Sequence, residues 1–186
     1  MALIPTTPTP PRFFVDGTLA KELARDLESL CVHVVDGKAS AEVVLVGALP
    51  EYLSTDGVLE RASLTIWLSP DAECFAGLLG QVEARILDDV DQRTVLFASG
   101  TSPEGSGMPT VPLQFGADVV SGSVRRGAES RTAHVVSTVP SLRWNSRISL
   151  TTPEPSFDGH FQIVELWYRL TLANGLRVEL IGEALR

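Results

Sequence analysis

Near the C-terminal end two long β-type runs, His160 to Leu172 and Leu176 to Ile181, are joined by Ala173-Asn174-Gly175. An Asn-Gly step between such runs supplies the positive φ angles of a tight hairpin, so the pair is expected to form antiparallel strands. Strand pairing imposes a side-chain period of two, and with it a sheet that buries one face. Runs of the same kind recur upstream at Cys31 to Val35, Ala41 to Val46, Leu64 to Leu68, Val82 to Leu87 and Thr94 to Ala98. Asp36-Gly37 separates the first two as a hairpin turn would. Further along, Thr132 to Thr138 and Arg147 to Leu150 are predicted strands, while Leu113 to Val124 has no clean period. The expected fold class is mainly β with minor α.

The one helical expectation lies early. Leucines at 19, 23, 27 and 30 recur at helical spacing, and Asp16 or Thr18 can cap the start. This predicts a short amphipathic helix over Thr18 to Leu30, with its leucine face on the core and Lys21, Arg25 and Glu28 exposed. Before it, Pro5, Pro8, Pro10 and Pro11 keep residues 1–12 extended, as a flexible arm or a strap on a neighbour. A stretch with Gly100, Gly105, Gly107, Pro103, Pro109 and Pro112 reads as a linker over 101–112. The expected organisation is arm 1–12, first unit 13–100, linker 101–112 and second unit 113–186.

Comparing the two units, Cys74-Phe75-Ala76-Gly77 followed by Gln81-Val82-Glu83 matches Ser156-Phe157-Asp158-Gly159 followed by Ile163-Val164-Glu165, with one constant offset in numbering throughout. At the same offset Ile66 meets Ile148, Leu68 meets Leu150 and Arg61 meets Arg143. A fixed register over so many positions points to an internal duplication. Each copy reads as strand, turn with Phe-x-Gly, long strand, hairpin, strand. Phe75 and Phe157 are expected to plug the ends of two small β-barrels, with Gly77 and Gly159 at the corners.

The second copy also carries a resemblance. Val139-Pro140-Ser141-Leu142-Arg143 through Ser146-Arg147-Ile148-Ser149-Leu150, then Phe157-Asp158-Gly159-His160-Phe161-Gln162-Ile163-Val164-Glu165, resembles the last barrel of phage late-control protein D and related baseplate hubs. Trp144-Asn145-Ser146 departs from the glycine that this family often has there. The first unit, from Phe14-Val15-Asp16-Gly17 to Phe97, looks like the family's opening barrel, and the trimeric spike proteins of type VI secretion share the architecture. The resemblance implies a homotrimer whose two barrels per chain alternate around an axis and match a sixfold tail tube. It implies tail tube protein, spike protein and baseplate components as partners. It also implies a chain made in the bacterial cytoplasm and built into a phage-tail-like particle.

Composition narrows the remaining classes. With 186 residues, 44% hydrophobic and 20% charged, the chain can bury a real core. A net charge of −8 disfavours binding to a phosphate backbone, and the densest basic spot, Arg125-Arg126, has no adjacent aromatic platform. No direct sequence-specific nucleic-acid binding is expected. Cys31 and Cys74 sit in apolar strand segments and are expected to be free and buried. The start lacks the basic and apolar regions of a signal peptide, and no apolar run reaches the ~20 residues of a membrane span, so no membrane insertion is expected.

No metal or cofactor is expected. His33, His134 and His160 have no ligand-type spacing, and Asp88-Asp89-Val90-Asp91 lacks the glycine and glutamate of a calcium loop and reads as an acidic turn. Ser99 to Gly107 lacks the Gly-Lys-Ser/Thr ending of a phosphate loop. No serine lies in a Gly-x-Ser-x-Gly elbow. The chain is therefore read as a non-enzyme. Trp67 and Trp167 fall in predicted strands, where aromatic side chains pack across strands or at subunit contacts, and Trp167 is the candidate interface residue. Two function classes stand side by side: a structural hub of a tail-like particle, and a free-standing β-barrel module that binds a small molecule or peptide.

Overall fold

A computed structural model describes residues 10–48, 62–86, 91–105, 107–127 and 130–185. Most of the proline-rich arm, Arg61 of the repeat comparison and the acidic turn at 88–90 lie outside the described residues. The strands are β1 (Arg12–Val15), β2 (Thr18–Leu19), β3 (Leu27–Val35), β4 (Lys38–Val46), β5 (Ser63–Ser69), β6 (Ala72–Ile86) and β7 (Gln92–Thr101) in the first half. The second half has β8 (Val111–Gln114), β9 (Val119–Arg126), β10 (Arg131–Ser137), β11 (Arg147–Thr151), β12 (Gly159–Thr171) and β13 (Gly175–Ala184). A helix α1 (Lys21–Arg25) and a 3-10 turn (Pro155–Phe157) complete the described elements.

Both hairpins predicted from turn chemistry form. Asp36 and Gly37 take φ of 50° and 74° and join β3 to β4 with Val35 opposite Lys38. Gly175 takes φ of 64° and closes the β12–β13 hairpin opposite Thr171. These left-handed angles match the right-handed twist of paired strands.

The Thr18 to Leu30 helix does not form as expected. Only Lys21–Arg25 is helical, Leu19 is in β2, and Leu27 and Leu30 belong to β3. The reason is a β-bulge between Leu27 and Ser29. The extra residue, Glu28, brings Leu27 and Leu30 onto the same inward face, so a strand imitates helical spacing. Leu23, inside α1, and both strand leucines are buried.

The sheet differs from the two barrels expected. The strand order is β2-β1-β5-β6-β7-β4-β3-β12-β13-β10-β9, with β11 pairing β12 and β8 pairing β11, in one open 13-stranded sheet. No closed barrel forms among the described residues: β3 pairs with β4 on one edge, and on the other it pairs antiparallel with β12 of the second half, from Glu165 opposite Val35 to Thr171 opposite Ser29. Inward side chains from both halves, including Phe13, Val32, Ile66, Phe75, Leu96, Phe161, Leu166, Tyr168 and Leu180, form a single hydrophobic cluster.

Within this sheet the two halves repeat the same ladders, at correspondences that differ from those read in the sequence. In β5–β6 Leu64 faces Gly77 and Ile66 faces Phe75; at the matching places of β11–β12, Ile148 faces Phe161 and Leu150 faces Gly159. The β6–β7 ladder has a bulge between Leu79 and Gln81, and β12–β13 has one between Ile163 and Glu165, in step with the same correspondence. The β3–β4 bulge between Leu27 and Ser29 recurs in β9–β10, where Val119 and Ser121 take those places. The outermost strand differs, since β1 runs antiparallel to β5 whereas β8 runs parallel to β11, and the turn end of β5–β6 carries register shifts that β11–β12 lacks.

Phe75 and Phe157 therefore occupy unlike places. Phe75 is fully buried inside β6, while Phe157 ends the 3-10 turn and is 39% exposed. By ladder position Gly159 stands where Phe75 does, and Phe161 where Gly77 does. Period-two alternation is unchanged by any even slip, so the hydrophobic pattern cannot tell a Phe75–Phe157 match from a Phe75–Gly159 match; hydrogen-bond register and bulges do. Gly77 is not a corner but a strand residue opposite Gly100, where a Cβ on either would come within 2.3 Å of backbone oxygen.

Candidate assembly interface

The seam between the halves is built by β3 and the C-terminal part of β12. On its inward face Val32 pairs with Tyr168 and Val34 with Leu166, all four fully buried. On the outward face His33 and Trp167 are directly opposite and stack with ring centroids 4.7 Å apart and 3° between planes. His33 Nε2 lies 2.8 Å from Glu165 Oε1. Trp167, expected from sequence at a subunit interface, here makes a contact within the chain, between β12 and β3.

A connection from the second half locks this seam. The Tyr168 hydroxyl donates to the Leu142 carbonyl at 2.5 Å, and Leu142 is buried. Arg143, also buried, donates to the carbonyls of Leu142 at 3.2 Å and of Asp71 in the β5–β6 turn at 3.3 Å. A long cationic side chain is retained inside because backbone oxygens satisfy its donors. Burial pushes the Tyr168 phenol and the Cys74 thiol well above their ordinary ionisation ranges, and it raises the Cys31 thiol as well. Both cysteines are free. The sequence names Arg143 only as a repeat position and gives no sign of Tyr168, since only the fold shows that they meet.

Among the described residues no group of three or more His, Cys, Asp or Glu is placed to hold a metal ion. No helix among them is long and apolar enough to cross a membrane. Two open depressions of about 260 and 290 Å³ lie on the second half, one lined by Phe115, Val124 and Phe157, the other by Arg125, His134 and Ile181. His134 is engaged with Glu179 at 2.8 Å, and Glu179 also meets Arg169 at 3.3 Å.

No family model matches the chain, and no curated protein matches it by sequence. Solved structures do match. The tail protein from Neisseria meningitidis MC58 superimposes with a TM-score of 0.67 at 8% identity, over 94% of this chain and 96% of that one. This chain has a tail-protein fold. The Escherichia coli c3393 protein, a type VI secretion component described as structurally similar to the T4 bacteriophage tail proteins gp27 and gp5, gives 0.68 at 6% identity, over 87% and 74%. The 43 kDa tail protein of prophage MuSo2 from Shewanella oneidensis gives 0.60 at 7%, over 93% and 96%. With identities this low, the likeness is one of tail-protein fold and not of sequence, and the late-control and type VI spike resemblance read from residues is consistent with it.

Proposed function

We propose that this chain is a non-enzymatic structural hub of a contractile phage-tail-like particle, joining the tail tube to the central spike and baseplate as a homotrimeric ring. The observation that carries the reading is the fold, shared with two tail proteins, one of them from a prophage, and with a type VI secretion component, over 87% or more of the chain. The repeated ladders support it physically. Two units of one topology in each chain let three chains offer six near-equivalent positions to a sixfold tube, and closed cyclic symmetry is the usual outcome of heterologous contacts. On this reading units 13–100 and 113–186 descend from one ancestral unit, and tube, spike and baseplate proteins are its partners. The chain is made in the bacterial cytoplasm and ends in the assembled particle. The test is a reconstruction of that particle without imposed symmetry. Three copies around the central axis are expected; six equivalent copies, or a place away from the axis, would sink the proposal.

A further inference from the structure

The internal seam has a counterpart that the described strands leave open. In β12 the segment from Glu165 onward is flanked by β13 on one side and β3 on the other. The equivalent segment of β6, from Gln81 to Ile86, is flanked by β7, and no other strand among the described residues lies along its second edge. Likewise β3 uses both edges, on β4 and β12, while its equivalent β9 pairs with β10 alone among the described strands. The exposure follows. Leu166 and Tyr168 are fully buried and Leu170 partly, whereas at the matching places Val82 is only partly covered, Ala84 is exposed, and Ile86 is 76% exposed. An open strand edge bearing inward-type apolar side chains is a site for strand addition.

We infer that β9 of a second copy of this chain adds to the open edge of β6, in the register by which β3 adds to β12. This inference rests on the ring reading above and names the surface that makes the ring. The bulges fix the equivalence, Gln81 standing for Glu165 in one strand and Ser121 for Ser29 in the other. Carrying the seam's register across in this way sets Glu83 opposite Arg125 of the second copy, Ala84 opposite Val124, and Ile86 opposite Gly122. These pairs replace Trp167–His33, Tyr168–Val32 and Leu170–Leu30 of the internal seam. The charges are complementary where the internal seam has a ring stack, and opposite charges directly across strands attract. Within the chain Glu83 is engaged by its near neighbour Arg85 at 2.9 Å, and Arg125 is exposed. Ile86 then meets Gly122 and the Phe115 ring of the second copy, which lies 3.0 Å from where a Cβ on Gly122 would stand. Because donor and acceptor edges differ, the contact is head to tail, and it propagates from chain to chain until a ring closes.

Cysteine pairing reads the register directly. In full-length protein carrying Cys31→Ser, the double variant Glu83→Cys with Arg125→Cys is oxidised mildly, and its covalent species are resolved on a non-reducing gel beside the particle mass. Directly opposite strand residues have Cα atoms about 4.5–5.5 Å apart, within the span of a disulfide, and a register shift takes them out of reach. The expected result is efficient cross-linking up to a closed ring, ~10-fold above Glu83→Cys with Ser123→Cys, the shift control. Glu83→Arg is expected to weaken association by roughly 10-fold or more, with recovery in Glu83→Arg/Arg125→Glu. A ring of unchanged mass without this cross-link, or one that links equally in the shifted register, overturns the edge pairing and leaves the hub reading intact. Protein that forms no ring, alone or in the particle, overturns both.

Discussion

The C-terminal part of β12 and the distal part of β6 follow the same ladder, bulge for bulge, yet one lies in the middle of the sheet and the other at an edge. Tyr168 and Ala84 stand at matching positions; the first is buried and the second exposed. The difference teaches that a unit's own strands do not determine how much of its apolar face is covered. The neighbour on the far edge does, and among the described strands only the second unit receives one.

The largest expected effect breaks this comparison at its centre. Leu166→Asp buries a carboxylate in the seam and is expected to cost about 3–5 kcal/mol, whereas Val82→Asp at the matching place costs the isolated chain less than about 1 kcal/mol. Urea unfolding of both variants measures the contrast; equal losses would show that the edge of β6 is already covered within the chain.

Gly77→Ala comes next. Its Cβ would lie 2.3 Å from the Ser99 carbonyl oxygen, so the β6–β7 ladder must part there, with an expected loss of about 2–3 kcal/mol. Wild-type thermal stability in this variant would mean that the two strands do not approach so closely.

Tyr168→Phe keeps the ring and removes the donor to the Leu142 carbonyl, for an expected loss of about 1–2 kcal/mol at neutral pH. The same residue carries a pH signature that its counterpart Ala84 lacks. Burial raises the folded-state ionisation of Cys74 above 9.0 and of Tyr168 above 10.0, so the unfolded chain gives up these protons first. Stability is then full at neutral pH and falls as pH rises past about 9, and further past about 10. Chemical unfolding from neutral pH to about 10.5 checks the slope: Cys74→Ala should flatten its first part and Tyr168→Phe its second.

The smallest effect sharpens the comparison from the other side. Ile86→Ser, at a 76% exposed position, is expected to change the stability of the isolated chain by less than about 0.5 kcal/mol. Its matching change in the seam, Leu170→Ser, should cost more because Leu170 packs against the core. A differential scan of both variants at low protein concentration distinguishes them.

Some of this was legible in the residues. Asn174-Gly175 and Asp36-Gly37 announced both hairpins, because φ > 0 demands particular residues whatever surrounds them. Alternation likewise marked β5, β10 and β13, and it placed Trp167 on a strand. The helix over Thr18 to Leu30 was misread because a bulge at Glu28 gives two strand leucines a helical spacing, and a bulge is set by pairing with β4, not by the leucines. The Phe-x-Gly correspondence was misplaced, with Phe157 taken for the partner of Phe75 where the ladder puts Gly159, because an even slip leaves the inward and outward faces unchanged.

Strand identity and turn position are local properties, set by backbone sterics and by the alternation of apolar side chains, so the residues alone specify a β-rich chain with hairpins at Asp36-Gly37 and Asn174-Gly175. Whether its two halves close separately or join depends on which edges meet. That is settled by hydrogen bonds and buried area between residues far apart in the chain, such as Tyr168 with Val32, which meet only once the sheet is assembled.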